Sequence, residues 1–159
     1  MNKILKLFFL FLFVIFPFNC KALIEVDITR GNLNPLPVAV SPLSIDKQSK
    51  EEFRKILKKK DIGSEISNVV ENNLKASGLF NPLNKDAFLQ RPEIAHLKPR
   101  FEDWSLIKAQ ALITGKVLIK DEKMRVEFKL WDVLAGKEMM ALAFTTVPTN
   151  WRRVGHIIT

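Results

Sequence analysis

The run "ALITGKVLI" (residues 111–119) limits what this chain can fold into more than any other stretch. It is almost wholly apolar. A strand with one face in water alternates apolar and polar side chains, whereas a strand covered on both faces need not. The run therefore predicts a central strand. "RVEFKLWDV" (125–133) does alternate, with Val126, Phe128 and Leu130 inward and Glu127 and Lys129 outward. The charged stretch "KDEKM" joins these two runs, "LAGK" (134–137) turns around Gly136, and "EMMALAFTT" (138–146) completes a three-stranded meander.

The clearest helix lies between Asp61 and Phe80. Ile62, Ile66, Val69, Val70 and Leu74 recur at offsets 0, 4, 7, 8 and 12, which places them on one face. Asp61 is positioned to cap its start, Gly78 to take the left-handed conformation after its end, and Leu79 and Phe80 to return the chain to the core. Upstream, "PVAVSPLSI" (37–45) predicts a strand over Val38 to Val40 that Pro42 ends. Residues 47–60 carry seven basic residues, with Phe53, Ile56 and Leu57 on one helical face. Such a helix could lie on a membrane surface, but three apolar residues make a thin stripe, which favours a solvated helix or loop. Residues 81–100, broken by Pro82, Pro92 and Pro99, read as a connection with one short strand at Ala87 to Gln90. "FEDWSLIKA" (101–109) predicts a short helix with Trp104 and Ile107 on its inner side. "PTNWRRVGHII" starts a helix capped by Thr149 or Asn150, inside which the sequence stops, so the chain is expected to be the N-terminal part of something longer. The order of elements predicts an α/β domain: a mixed sheet with helices packed on it, ending in the meander and a truncated helix.

The first residues belong to a different class of segment. Lys3 and Lys6 precede an apolar run from Leu7 to Phe18 that holds six of the chain's twelve phenylalanines. Spanning a bilayer takes about 20 apolar residues, so a cleaved secretory signal fits better, with Ala22 at −1 and Cys20 at −3. Lipidation at Cys20 would call for small residues just upstream, where the chain has Pro17, Phe18 and Asn19. An exported, membrane-proximal ligand- or lipid-binding module anchored through Cys20 is the alternative reading. Cleavage after Ala22 leaves 137 residues with no cysteine, which excludes disulfides and cysteine-ligated zinc. The remaining 22 basic and 17 acidic residues give +5. In an exported chain this reads as a solvated basic surface and not as a nucleic-acid site.

No constellation of residues carries a reaction. His96, placed in a polar loop, and His156, placed as a packing or capping residue, have no second ligand at metal spacing. Gly115 lacks the other residues of a phosphate loop and reads as a tolerated glycine or bulge. Trp131 and Asp132 make a single "WD" without a repeat. Asp86, Glu93, Glu102 and Asp103 are scattered, and Ser64, Ser67 and Ser77 have no nucleophile elbow. Arg152 and Arg153, beside Trp151, read as surface residues. The expectation is a protein that binds and does not catalyse, with no cofactor and no metal.

Several stretches taken together, "PVAVSPLSI", "LKASGLFNPLNKDAFLQ", "FEDWSLIKAQALITGKV", "RVEFKLWDVLAGK" and "TTVPTNWRRVGHII", resemble the N-terminal domain of the TolB family. The resemblance implies a periplasmic, monomeric adaptor of the Tol-Pal cell-envelope system. It links inner-membrane TolA to the outer-membrane lipoprotein Pal and supports outer-membrane integrity and constriction during cell division. It also implies a leader over 1–22, an extended partner-binding segment over 23–36 and an α/β domain over 37–159. Pal is bound in the family by a C-terminal propeller that this chain lacks. TolA is bound by the mature N-terminal segment, which corresponds here to Leu23, Ile24, Glu25, Val26, Asp27, Ile28, Thr29, Arg30 and Gly31. Glu25, Val26 and Ile28 match the family's acidic and aliphatic start best. The basic stretch at 47–60 is longer than the family's usual loop, as a lineage-specific insertion without a separate role would be.

Overall fold

The computed structural model of the chain describes residues 34–58 and 61–159. Strand β1 (Leu36–Val40) and the two-residue β2 (Ser44–Ile45) precede helices α1 (Lys47–Leu57) and α2 (Ile62–Ala76). Then come β3 (Phe80–Pro82), a 3₁₀ turn at Lys85–Ala87, and the short helices α3 (Pro92–Leu97) and α4 (Phe101–Leu106). The meander is β4 (Ala111–Lys120), β5 (Lys123–Asp132) and β6 (Lys137–Thr146), followed by a 3₁₀ turn at Pro148–Asn150 and α5 (Trp151–Ile157). The strands form one mixed sheet in the order β3-β1-β4-β5-β6, with β2 continuing beside β4. β1 runs parallel to β3 and β4, whereas β4, β5 and β6 are antiparallel.

β4 is the central strand that its apolar run predicts, and the two sets of alternate side chains face different layers. Ala111 and Ile113 pack with Val38, Val40, Val70 and Leu74, and Val117 and Ile119 pack with Phe53, Ile62, Ile66, Trp151 and Val154. One face of the sheet thus carries α1, α2 and α5. Leu112 points the other way, into a cluster with Ala39, Ala95, Trp104 and Val133 under α3 and α4. The hairpin between β4 and β5 is tight, because Asp121 and Glu122 both take positive φ, 51° and 58°. Two successive positive-φ residues are the signature of the turn whose twist matches antiparallel strands.

Helix α2 follows its sequence closely. Asp61 caps it through the Ser64 amide at 3.2 Å, Ile66 and Val70 are buried, and Gly78 takes φ 71° beyond its end. Phe80 packs on the core, but Leu79 is exposed. The basic stretch differs from the expectation of a solvated helix or loop. Residues 47–57 form a helix that belongs to the domain, with Phe53 buried and Leu57 packed against the same cluster. Asp46 caps it through the Ser49 amide, and Ser49 Oγ in turn accepts the Ile119 amide at 2.9 Å, stitching α1 to β4. Its apolar stripe is therefore spent on its own sheet, with only Ile56 left outward.

The connection at 81–100 is also more ordered than its prolines suggest. No strand forms at Ala87 to Gln90; instead β3 pairs at Phe80–Pro82 and α3 starts at Pro92. Proline suits a first helical position, where its missing N–H costs nothing. Gln90, 5% exposed, ties the segment together: its Oε1 accepts the Arg100 amide and the Trp104 indole N–H, and its Nε2 donates to the Lys98 carbonyl. Helix α4 places Trp104 in the core and Ile107 beside it, as expected. Asn150 stands at the start of α5 without a side-chain cap bond and donates to Thr146 Oγ1 instead. The apolar residues Trp151 and Val154 of α5 are buried against the main core.

Candidate partner-binding surface

The segment singled out in the sequence, Leu23, Ile24, Glu25, Val26, Asp27, Ile28, Thr29, Arg30 and Gly31, lies outside the described residues, as do the leader and Cys20. Asn34 and Pro35 are both exposed. The chain enters the sheet at Leu36, whose amide donates to the Leu79 carbonyl at 2.9 Å. Among the described residues, the members of all three apolar clusters lie at Val38 or beyond. At the far side of the sheet, β6 is an edge strand along which Met139, Met140 and Leu142 are exposed. A groove between α4 and the β5–β6 turn is lined by Phe101, Leu106, Val133 and Leu134, two of which, Leu106 and Leu134, are largely exposed.

The candidate chemical residues are dispersed. His96 is not in a polar loop: it sits on α3, 7% exposed, and its Nδ1 has no hydrogen-bond partner. It lines a cleft of about 230 Å³ with Ser44, Asp46, Glu93, Leu97 and Lys116. Burial holds the imidazole below its ordinary pKa, helped by the charges of Lys129 and Lys116 and opposed by Glu127. Asp46 is held below the usual carboxylate range, chiefly by the Ser49 amide that it caps. Glu127 is likewise lowered, by its hydrogen bond from Arg125. Nothing in the sequence signals His96, since a six-residue helix has too few turns to show a buried face.

His156 is exposed and not packed in the core; its Nδ1 lies 2.9 Å from Asn73 Nδ2, a surface hydrogen bond between α5 and α2. Gly115 is neither loose nor a bulge: a Cβ there would stand 2.0 Å from Leu43 Cδ2 and 2.6 Å from the Glu127 carbonyl oxygen. Ser67 is buried and structural, accepting the Leu43 amide at 3.0 Å. Ser64 bonds its own cap residue Asp61, and Ser77 Oγ donates to the Leu74 carbonyl. Asp103 pairs with Arg100 at 2.6 Å, and Trp131 is half-buried, with its indole N–H on Thr114 Oγ1. Arg152 and Arg153 are on the surface. Among the described residues no three His, Cys, Asp or Glu gather as a metal group, and no helix is long and apolar enough to cross a membrane.

A mixed sheet with helices on both faces, ending in a meander whose last strand is β6, defines an open α/β domain. The family model for the TolB amino-terminal domain matches residues 24–139, and the chain belongs to that family. It is 80% identical over 148 residues to the Tol-Pal system protein TolB of Pelagibacter ubique (strain HTCC1062), an alignment covering 93% of this chain. The chain spans about a third of that relative's length (33%). The crystal structure of TolB from Acinetobacter baumannii superposes with a TM-score of 0.59 at 17% identity, covering 78% of this chain and 26% of the other, which shows a shared fold.

Proposed function

We propose that this chain is the N-terminal part of a periplasmic, non-catalytic adaptor of the Tol-Pal system. Its segment Leu23–Gly31 binds TolA, and a propeller in the longer protein binds Pal, so that the adaptor couples the two membranes during constriction and preserves outer-membrane integrity. The observation that carries this reading is the 80% identity to a Tol-Pal system protein over nearly the whole chain.

The chemistry of the segment suits strand addition, in which backbone hydrogen bonds supply affinity and alternate side chains supply selectivity. In an extended conformation Ile24, Val26 and Ile28 project to one side, and Glu25 and Asp27 to the other. A chain lacking residues 23–31 is expected to lose binding to the periplasmic part of TolA while keeping the thermal unfolding midpoint of the intact domain. The two readouts are calorimetric titration and a melting curve. Unreduced binding by the shortened chain overturns the assignment.

A further inference from the structure

We propose that His96 is an acid-sensitive latch: neutral, it lets α3 lie on the sheet, and its protonation releases α3 and opens the face beneath. The proposal rests on where the ring sits. Among the described residues His96 Nδ1 is the one buried side-chain nitrogen or oxygen without a hydrogen-bond partner. An unprotonated imidazole nitrogen left as an unused acceptor is tolerable. A protonated one is a buried cationic donor with nothing to donate to, which is far costlier.

The surroundings sharpen that contrast. β4 presents Lys116 and β5 presents Lys129, both of which disfavour a second positive charge, while Glu127 of β5 favours it. Glu127 is already held by Arg125, whose Nε donates to it at 2.7 Å, and Lys129 is paired with Glu138 of β6 at 3.2 Å. Glu93 on α3 itself and Asp46 before α1 line the adjoining cleft, but Asp46 is committed to Ser49. Desolvation remains the dominant influence on the ring.

Helix α3 is also easy to lift. It spans six residues, with Ala95 and His96 buried and with Ile94 and Leu97 exposed. Short, sparsely packed elements open locally at the low end of a protein's stability range. Opening would hydrate His96 and uncover Ala39 and Leu112, which pack in the same cluster as Ala95.

The direction with pH follows from linkage. The closed state holds the imidazole below its ordinary value of about 6.5, so below that pH the open state binds more protons. Closure therefore weakens as pH falls through about 6.5 toward the depressed pKa, levels off below it, and is unaffected above 6.5.

The test is amide hydrogen exchange of the folded chain at pH 7.5 and pH 5, corrected for intrinsic exchange, combined with an NMR titration of the His96 ring. The ring should titrate below 6.5. The opening constant at the Ala95 and Lys98 amides, which bond the Arg91 and Ile94 carbonyls, should be larger at pH 5 than at pH 7.5. β4 amides should not change. His96→Gln should remove the rise, and Lys116→Met should raise the ring's pKa and shrink it. If His96→Gln does not fold, the wild-type titration and Lys116→Met decide. A rise that survives in His96→Gln, a ring titrating at or above 6.5, or no pH response overturns the proposal.

Discussion

Phe53→Ala is expected to lower the unfolding free energy by about 3–5 kcal/mol, the usual cost of truncating a buried aromatic. Ile56→Ala, one turn along the same helix, should stay within about 0.5 kcal/mol, as surface changes do. Phe53 is 1% exposed and packs in the main cluster, whereas Ile56 is 48% exposed. Urea unfolding of the two variants distinguishes an integral helix from a basic appendage. If both are neutral, residues 47–57 are dispensable to the domain. The distinction bears on function: a helix whose apolar stripe is spent in the core has none left to insert into a bilayer, so its charges can act at a membrane only by surface attraction.

Gly63→Ala should cost about 3 kcal/mol, the upper end of the range for forcing extra atoms into a packed site. A Cβ on Gly63 would stand 2.0 Å from the Leu43 carbonyl oxygen, which is backbone and cannot swing aside. The Leu43 amide donates to the Gly63 carbonyl at 3.4 Å, and Ser67 accepts the same amide at 3.0 Å, so the β1–β2 connection is clamped to the first turns of α2. Gly78→Ala is the control. Its φ of 71° makes alanine strained, but nothing lies within 4 Å of the added carbon. Only the left-handed backbone penalty, about 1–2 kcal/mol, applies there. Equal effects at the two glycines would contradict the clamp.

Phe53 and Gly63 also mark where sequence reading stops. The apolar run of β4, the alternation of β5 and the periodic face of α2 were legible because each repeats a period long enough to outweigh its exceptions. Phe53 was obscured by the surrounding charge: one deeply buried aromatic in a basic helix leaves a stripe too thin to separate from a solvated face. Helix α3 was hidden by its length and by Pro92, which reads as a breaker although it occupies the first helical position. Gln90 reads as a strand residue in the sequence because its partners, the Arg100 amide, the Lys98 carbonyl and the Trp104 indole, meet only in the fold. Close approaches such as those at Gly63 and Gly115 leave no local signature at all.

The candidate site rests on a different kind of signal. Composition alone reads "LIEVDITRG" as no more than a weak first strand; its proposed role as a partner segment rests on the likeness of the whole chain to its family. Physical reasoning adds the alternation that such a segment would present to a sheet edge.

The central claim is that Leu23–Gly31 by itself carries recognition of TolA. The most direct measurement is competition: a free nine-residue peptide of that sequence is titrated into a preformed complex of the mature chain and the periplasmic part of TolA. The account predicts that the peptide displaces the chain completely, and that a peptide with Ile24, Val26 and Ile28 replaced by serine does not. A complex that survives saturating peptide would contradict it and place recognition on the folded domain.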